Sequence, residues 1–363
     1  MEIVLIELLP QLVFPIGESS HVAAARRGAS EMARALSFDA TRIGRVAIIV
    51  TEAATNILKH ASHGSLIVRD VSQDGPVGIH AGINAGINAG IDAGIEIIAL
   101  DSGPGIANLN ASLRDGVSTA GSPGTGLGAM QRLSEHFDAY TVPGLGSAFC
   151  MTVRAGTNAA PATAALLGAV CLPIASEEVC GDSWHAEMSG RALSVMVADG
   201  LGHGPDARVA SQAALLALKG RGALLSPTRL LELAHAAARS TRGAAVAAAR
   251  IDFDQGLVSF AGVGNIAASI HGPDGRRQMM SHNGIVGHNV RKIQEFSFAW
   301  TPDSILILHS DGLGTHWDLQ SYLGLAHRHP ALSAAILYRD HVRPRDDACI
   351  VVIKNDLSTL GQP

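Results

Sequence analysis

Acids that end apolar runs and are followed at once by glycine are the residues of this chain best placed to do chemistry. Val195-Met-Val-Ala-Asp199-Gly200-Leu-Gly-His203-Gly204 is one such run, and Ile305-Leu-Ile-Leu-His-Ser310-Asp311-Gly312 repeats its design. Cys180-Gly181-Asp182-Ser-Trp184 precedes them, and Arg345-Asp346-Asp347-Ala348 leads into a last apolar stretch. A single Asp-Gly pair is usually a turn. Four such acids, two of them at the ends of strongly apolar strands, point to convergence on hard cations. Carboxylates with a backbone carbonyl suit Mg²⁺ or Mn²⁺. No His/Cys set has zinc spacing.

A second group lies in the first half. Glu52-Ala-Ala-Thr-Asn56 places a carboxylate and an amide on one helix face. Such a pair can hold a Mg²⁺-phosphate assembly and orient or accept a proton; it can equally be a solvated face. Ile97-Ile-Ala-Leu-Asp101-Ser-Gly103-Pro-Gly105 is a buried strand ending in an acid and a glycine turn. The acid can accept from an amino group such as that of adenine, and the glycines let a ligand approach the backbone. Gly124-Thr125-Gly126-Leu127-Gly128-Ala-Met130 leads into a helix expected from Gln131 to His136. Glycines before a helix start expose N–H groups to an anion. The pattern is not the dinucleotide-binding fingerprint, and no strand directly precedes it.

These residues need elements to hold them. A chain of 363 residues, 47% hydrophobic and 16% charged, is expected to fold as two domains. A net charge of −5 argues against general nucleic-acid binding. No run of 18 apolar residues predicts a spanning helix, and the acids of MEIVLIELLP do not suit a signal peptide. Cys150, Cys171, Cys180 and Cys349, without CxxC spacing, fit buried thiols in a reducing cytosol.

The apolar spacing predicts helices from Ser19 to about Ala35 and, capped by Asp39, along Ile43, Val46, Val50, Ala53 and Ile57. Strands are expected at Ser65–Arg69, Ile95–Leu100, Asp138–Val142 and Ser147–Val153. Residues 155–168 read as a linker. Beyond it strands dominate, at Ala192–Ala198, Ala245–Phe253, Leu257–Val263, Ile266–His271, Ser304–His309 and Ala348–Ile353. Helices are expected at Pro205–Lys219, Pro227–Ser240 and Ala331–Val342. Consecutive hairpins with separate helices indicate an antiparallel α+β domain. Between the two strands that follow the second helix, the unit Ala-Gly-Ile-Asn repeats from Ala81 and decays to Ala-Gly-Ile-Glu at Glu96. It reads as an expanded hairpin loop, either functionally silent or a partner-docking edge, since long insertions cost little entropy per added residue.

The order ExxxN, DxGxG, GxGxG, with Asn56-Ile-Leu-Lys59-His60-Ala extending the first, resembles the GHKL ATPase/kinase domain, or Bergerat fold, over about Ser19 to Arg154. The resemblance implies Glu52 as general base or as the group that orients the water or hydroxyl, Asn56 as Mg²⁺ ligand and Asp101 at adenine. Gly103 and Gly105 would border the base, and Gly124, Gly126 and Gly128 would wrap the phosphates. Lys59, Thr125 and Leu127 complete the nucleotide-binding set, and Ala107 to Pro123 would be a lid. On this resemblance the domain is expected to begin almost at residue 1, which would leave no room for a phosphoacceptor helix hairpin. The compact form resembles anti-sigma-factor and stressosome serine kinases, which implies phosphorylation of Ser or Thr on a STAS-domain antagonist.

The order GD…DGLGHG…SDG…DD resembles the SpoIIE/RsbX-like branch of the protein phosphatase 2C superfamily over about Val170 to Lys354. That resemblance implies Asp199 bridging two metal ions, the Gly200 carbonyl as a ligand, and Asp182, Asp311 and Asp346 completing the set directly or through water. Of Asp346 and Asp347, the register of the final strand favours Asp346. His203 is either an acid at the phosphate or a turn-stabilising residue. Gly262-Val-Gly264-Asn265 resembles a structural hairpin, and the arginine-containing N-terminal motif of eukaryotic members is missing. The expected architecture is α+β: an N-terminal GHKL two-layer α/β sandwich (1–154), a linker (155–168) and a phosphatase 2C-like α-β-β-α four-layer sandwich (169–357). The expected function is a cytoplasmic bifunctional regulator using ATP, Mg²⁺ and Mn²⁺. Its partners would be STAS-domain antagonist or stressosome-type proteins, or a sigma-factor regulator, with no nucleic acid or membrane. The alternatives are a nucleotide-responsive binding module joined to an active phosphatase, and a general ATPase.

Overall fold

A computed structural model describes residues 11–61, 63–71, 93–113, 126–156, 165–221 and 224–356. They fall into two compact units that divide between residues 156 and 165.

In the first unit, strand β1 (Leu12–Ile16) is followed by helices α1 (Ser19–Ala35) and α2 (Ala40–Asn56). Asp39 caps α2 as expected, its carboxylate accepting from Arg42 N–H at 2.8 Å. Strands β2 (Gly64–Asp70) and β3 (Gly94–Asp101), helices α3 (Leu109–Ser112) and α4 (Gly126–Leu133), and strands β4 (His136–Val142) and β5 (Gly146–Arg154) complete it. The sheet runs β1-β2-β3-β5-β4, with every pairing antiparallel. Leu66, Val68, Ile95, Ile97, Met151 and Val153 alternate along three strands and share one core with Ala25, Ala29, Val46, Ile49 and Val50 of the helices. The result is a two-layer sandwich.

The second unit has β6 (Ala165–Leu172), β7 (Asp182–Ser189), β8 (Ala192–Gly200), α5 (Pro205–Leu215) and α6 (Pro227–Ala237). Then come β9 (Ala244–Asp252), β10 (Leu257–Val263), β11 (Ala267–Gly272), β12 (Gly275–Met279), the short hairpin β13 (Gly284–Ile285) and β14 (Asn289–Val290), and β15 (Phe296–Ala299). Strand β16 (Ile305–His309), helix α7 (Pro330–His341) and strand β17 (Ala348–Asn355) end it. Two five-stranded antiparallel sheets form, β15-β10-β9-β8-β7 and β12-β11-β16-β17-β6. Val195, Val197, Ala249 and Phe260 of one meet Ala169, Leu306, Leu308 and Val351 of the other in a shared core. On the outer face of the first sheet, Met196, Val246 and Ala261 pack on Leu215, Leu230 and Ala234 of α5 and α6. Helix α7 covers the second sheet so closely that a Cβ on Gly168 would lie 2.0 Å from the Ala331 nitrogen. The layers are therefore α-β-β-α.

Three expectations change. Residues 165–168, read as linker, open β6 and pair with β17 from Ala165 opposite Asn355; composition hid a strand that exists only through its partner. The helix expected from Gln131 to His136 is α4, which starts at Gly126 and stops at Leu133, and His136 already belongs to β4. The ladder with β5 claims those residues. Edge strand β1 was not expected; it contains Pro15, which an edge tolerates. Residues 72–92 lie outside the described residues, so of the Ala-Gly-Ile repeat only the end is seen, where Gly94–Glu96 opens β3. All four cysteines are buried and unbridged. Among the described residues no helix is long and apolar enough to cross a membrane.

Candidate active sites

The first site gathers at the C-terminal end of α2. Glu52 and Asn56, one turn apart, face the start of α4: a Cβ on Gly126 would lie 2.7 Å from Glu52 Oε2 and 3.6 Å from Asn56 Oδ1. Gly126 therefore sets the start of a helix directly against a carboxylate and an amide, with no room for a side chain between them. That donor set suits a Mg²⁺-phosphate group. Asn56 is followed by a π-helical turn, Ile57–Ala61, an irregularity common at functional sites. It exposes Lys59 and His60.

Asp101 ends β3, and its Oδ1 accepts from Gly103 N–H at 2.7 Å. The loop beyond is shaped by backbone contact. Gly103 rests on Ala61, and a Cβ on Gly105 (φ +67°) would lie 2.2 Å from the Val142 carbonyl oxygen. Gly64 would place a Cβ 2.8 Å from Ile57 and 3.2 Å from Asp101 Cβ, which ties the acid to the residue after Asn56. Leu127 packs into the core and Gly128 is buried. Gly124, Thr125 and residues 114–123 of the expected lid lie outside the described residues; its beginning contains α3, capped by Asn108.

The second site lies at one end of the two facing sheets. Register places Asp182 directly opposite Asp199 across β7 and β8. Asp311 follows β16 and Asp346 precedes β17, neighbours in the other sheet. Burial, then the charges of Asp182, Asp311 and Asp346, push the Asp199 carboxyl up to about 9. Burial raises Asp182 to about 7, against a hydrogen bond from the Ser310 hydroxyl and together with the charges of Asp347, Asp346 and Asp311. Asp346 is also raised, by burial and then by Asp311. Asp182 Oδ2 is buried with no hydrogen-bond partner. Four crowded carboxylates with an orphaned oxygen fit divalent cations, which would supply the missing positive charge.

Glycine is required beside two of these acids. A Cβ on Gly200 would lie 1.9 Å from the Ala207 carbonyl oxygen of α5, and one on Gly312 1.8 Å from that of Asp347. Asp347 lies close enough to add its charge to Asp182 and Asp346 but is held by backbone donors. It is buried, and its two oxygens accept from Ile174 and Gly181 N–H, each at 2.7 Å. It thus clamps the loop that delivers Asp182. His203 hydrogen-bonds Glu177 through Nδ1 at 2.7 Å on an exposed loop. Two residues escaped the reading of the sequence. Asn265, set down as part of a structural hairpin, donates from Nδ2 to Asp311 Oδ2 at 2.5 Å. Ser310 accepts from Cys349 N–H at 2.9 Å besides serving Asp182. The Ser-Asp-Gly triplet was the available signal for Ser310; nothing local marked Asn265.

The raised carboxyls set a pH dependence. Their folded values exceed the ordinary 3.8, so between 3.8 and about 9 the folded metal-free unit holds protons that the unfolded chain has released. Its stability therefore falls as pH rises through that window. Melting of metal-free protein is expected at lower temperature at about pH 8 than at about pH 5, with Mn²⁺ removing most of the difference. A melting temperature that rises over this range without metal would contradict the crowding.

Comparison with known proteins follows the same division. Residues 17–154 match the histidine kinase-like ATPase domain, and residues 189–356 match stage II sporulation protein E (SpoIIE). Serine/threonine-protein kinase RsbT of Bacillus subtilis (strain 168) is 30% identical over 126 residues, 35% of this chain and 83% of RsbT. Phosphoserine phosphatase RsbX of the same organism is 29% identical over 148 residues, 40% of this chain and 73% of RsbX. A solved structure of RsbX in complex with magnesium is 24% identical, covers 53% of this chain and 96% of that one, and has a TM-score of 0.48. Asp182 lies ahead of the residues matched to SpoIIE. The chain belongs to the histidine kinase-like ATPase family through its RsbT-like first domain, and joins to it a SpoIIE-type protein phosphatase 2C domain.

Proposed function

We propose that this chain is a bifunctional signalling regulator of a partner-switching circuit, adding phosphate to a protein Ser or Thr with its first domain and removing it with its second. The observation that carries the reading is the convergence of Asp182, Asp199, Asp311 and Asp346 around an unpartnered carboxylate oxygen. A pair of Mg²⁺ or Mn²⁺ ions, when bound, supplies hydroxide at neutral pH and charge for the phosphoryl oxygens. Asp199 and the Gly200 carbonyl, with Asp182, Asp311 and Asp346, would hold them; Ser310 and Asn265 fix the orientation of Asp182 and Asp311. In hydrolysis the water oxygen bonds to phosphorus, the bond from phosphorus to the seryl oxygen breaks, and that oxygen leaves with a proton.

In the first domain, Asn56 would hold Mg²⁺ and Asp101 the adenine amino group of ATP. Glu52 would take the proton of the acceptor hydroxyl as its oxygen attacks the γ-phosphorus and ADP departs. The placement of Gly126 against Glu52 and Asn56 supports this. The substrate class we propose is a STAS-domain antagonist or stressosome-type protein, and the kinase and phosphatase activities named for RsbT and RsbX agree with opposed reactions on one phosphosite.

The test is incubation with STAS-domain proteins and ATP/Mg²⁺, then with Mn²⁺ alone, followed by intact mass. The unaltered protein is expected to add phosphate in the first step and remove it in the second. Glu52→Gln should slow the transfer by about 10²–10⁴-fold while leaving removal intact. Nucleotide binding without transfer to any acceptor would instead identify the first domain as a binding module, and ATP loss without a protein acceptor would identify a general ATPase.

A further inference from the structure

A phosphate monoester brings a second set of negative charges to a site built of carboxylates. Besides metal ions, the group whose geometry matches two phosphoryl oxygens is a guanidinium. Residues 165–181, which enter the site ahead of Asp182, contain no arginine. Arg208 directs Nη1 to the Asp182 carbonyl oxygen at 3.3 Å and so serves the underside of β7.

Arg242 is placed differently. Strand β9 pairs with β8 so that Ala244 lies opposite Gly200 and Ala245 opposite Asp199. Residues 241–243 therefore run beside the loop that follows the Asp199-Gly200 pair, and Leu201 N–H donates to the Gly243 carbonyl at 3.0 Å. Arg242 Nη1 would lie only 3.3 Å from a Cβ on Gly202, which has φ +90° and carries no side chain to screen it. Its resting partner is Asp206 in the first turn of α5, with Nη2 to Oδ2 at 2.5 Å. The two side chains are 52% and 69% exposed. A pair this exposed holds its partners weakly, and a phosphoryl dianion is the stronger acceptor.

We propose that Arg242 grips the substrate phosphoryl group at the second site, leaving Asp206 to do so. The assignment rests on the phosphatase reading above and adds to it a residue that decides binding.

Steady-state kinetics of the full chain with Mn²⁺ and a phosphoserine peptide test it. Arg242→Ala is expected to raise KM by about ten- to a hundredfold, the strength of a charge-assisted hydrogen bond, with kcat within about threefold. Arg242→Lys should recover part of the loss. Asp206→Asn, which frees the arginine, should lower KM by about two- to threefold. A merely structural ion pair would make both substitutions harmful, so a rise of KM in Asp206→Asn alongside Arg242→Ala overturns the proposal. So does a KM within twofold of the parent in Arg242→Ala, or a loss of Mn²⁺ affinity in that variant by calorimetry. A parent protein that hydrolyses no phosphopeptide with Mn²⁺ overturns the phosphatase reading itself, an outcome separate from an active parent with an indifferent Arg242.

Discussion

Asp199→Asn is expected to lower phosphoserine hydrolysis by about a thousandfold or more and, at the same time, to raise the melting temperature of the metal-free protein. Both effects have one cause. The Asp199 carboxyl is held up to about 9 by burial and by Asp182, Asp311 and Asp346, so the fold works against its charge. An amide of the same shape has no charge to desolvate or repel, and the gain is about 1–3 kcal/mol near neutral pH. For a domain of this size that is a shift of several degrees, at about 2–4 °C per kcal/mol. The same change removes the carboxylate that faces every other acid of the cluster, and Mn²⁺ should no longer stabilise the protein. Differential scanning fluorimetry in EDTA and in Mn²⁺, beside a phosphopeptide assay, reads all three consequences. A variant less stable than its parent without metal would mean that Asp199 is a structural acid and not a cation site.

Neighbouring acids should respond in opposite ways. Asp347→Asn is expected to destabilise the second unit by about 2–4 kcal/mol, whereas Asp346→Asn should leave metal-free stability equal or higher. Asp347 accepts from two backbone N–H groups, of Ile174 and Gly181. Asparagine has one carbonyl oxygen for one of them and must present an NH₂ group to the other, so a buried donor loses its partner. Removing the Asp347 charge relieves Asp182 and Asp346 slightly, which offsets part of the cost. Asp346 accepts the N–H of its own neighbour Asp347 at 3.0 Å, a bond that an asparagine oxygen keeps, and gains from neutrality, yet its loss should weaken Mn²⁺ binding. Urea unfolding in EDTA and calorimetric titration with Mn²⁺ separate the two. Equal stability of Asp347→Asn and its parent would sink the clamp.

Helices α1 and α2 were legible because their apolar residues recur at 3.6 spacing and Asp39 is a local cap whose acceptor sits three residues from its donor. The central strands were legible for the same reason, as apolar runs bounded by turns. Strands β6 and β7 were not. Ala165–Gly168 is small-residue sequence that becomes a strand only beside β17, and Asp182–Ser189 mixes Trp, His and Glu in a ladder with β8. The start of α4 was misread because glycine is a poor helix former, and Gly126 is tolerated there beside Glu52.

What this sequence determined by itself was the inventory and its order. It contains ExxxN, DxGxG and GxGxG in one half, acids at the ends of apolar runs in the other, and a change of texture between them. Those are properties of neighbouring residues, and helix caps, turns and strand ends are decided over a few positions. Only the tertiary structure decided that Asp182 pairs with Asp199, that Asp347 clamps a loop, that Asn265 reaches Asp311, and that Arg242 lies over Gly202. Each of these depends on strand register between segments far apart in the chain, and a shift of one residue would turn every side chain to the other face.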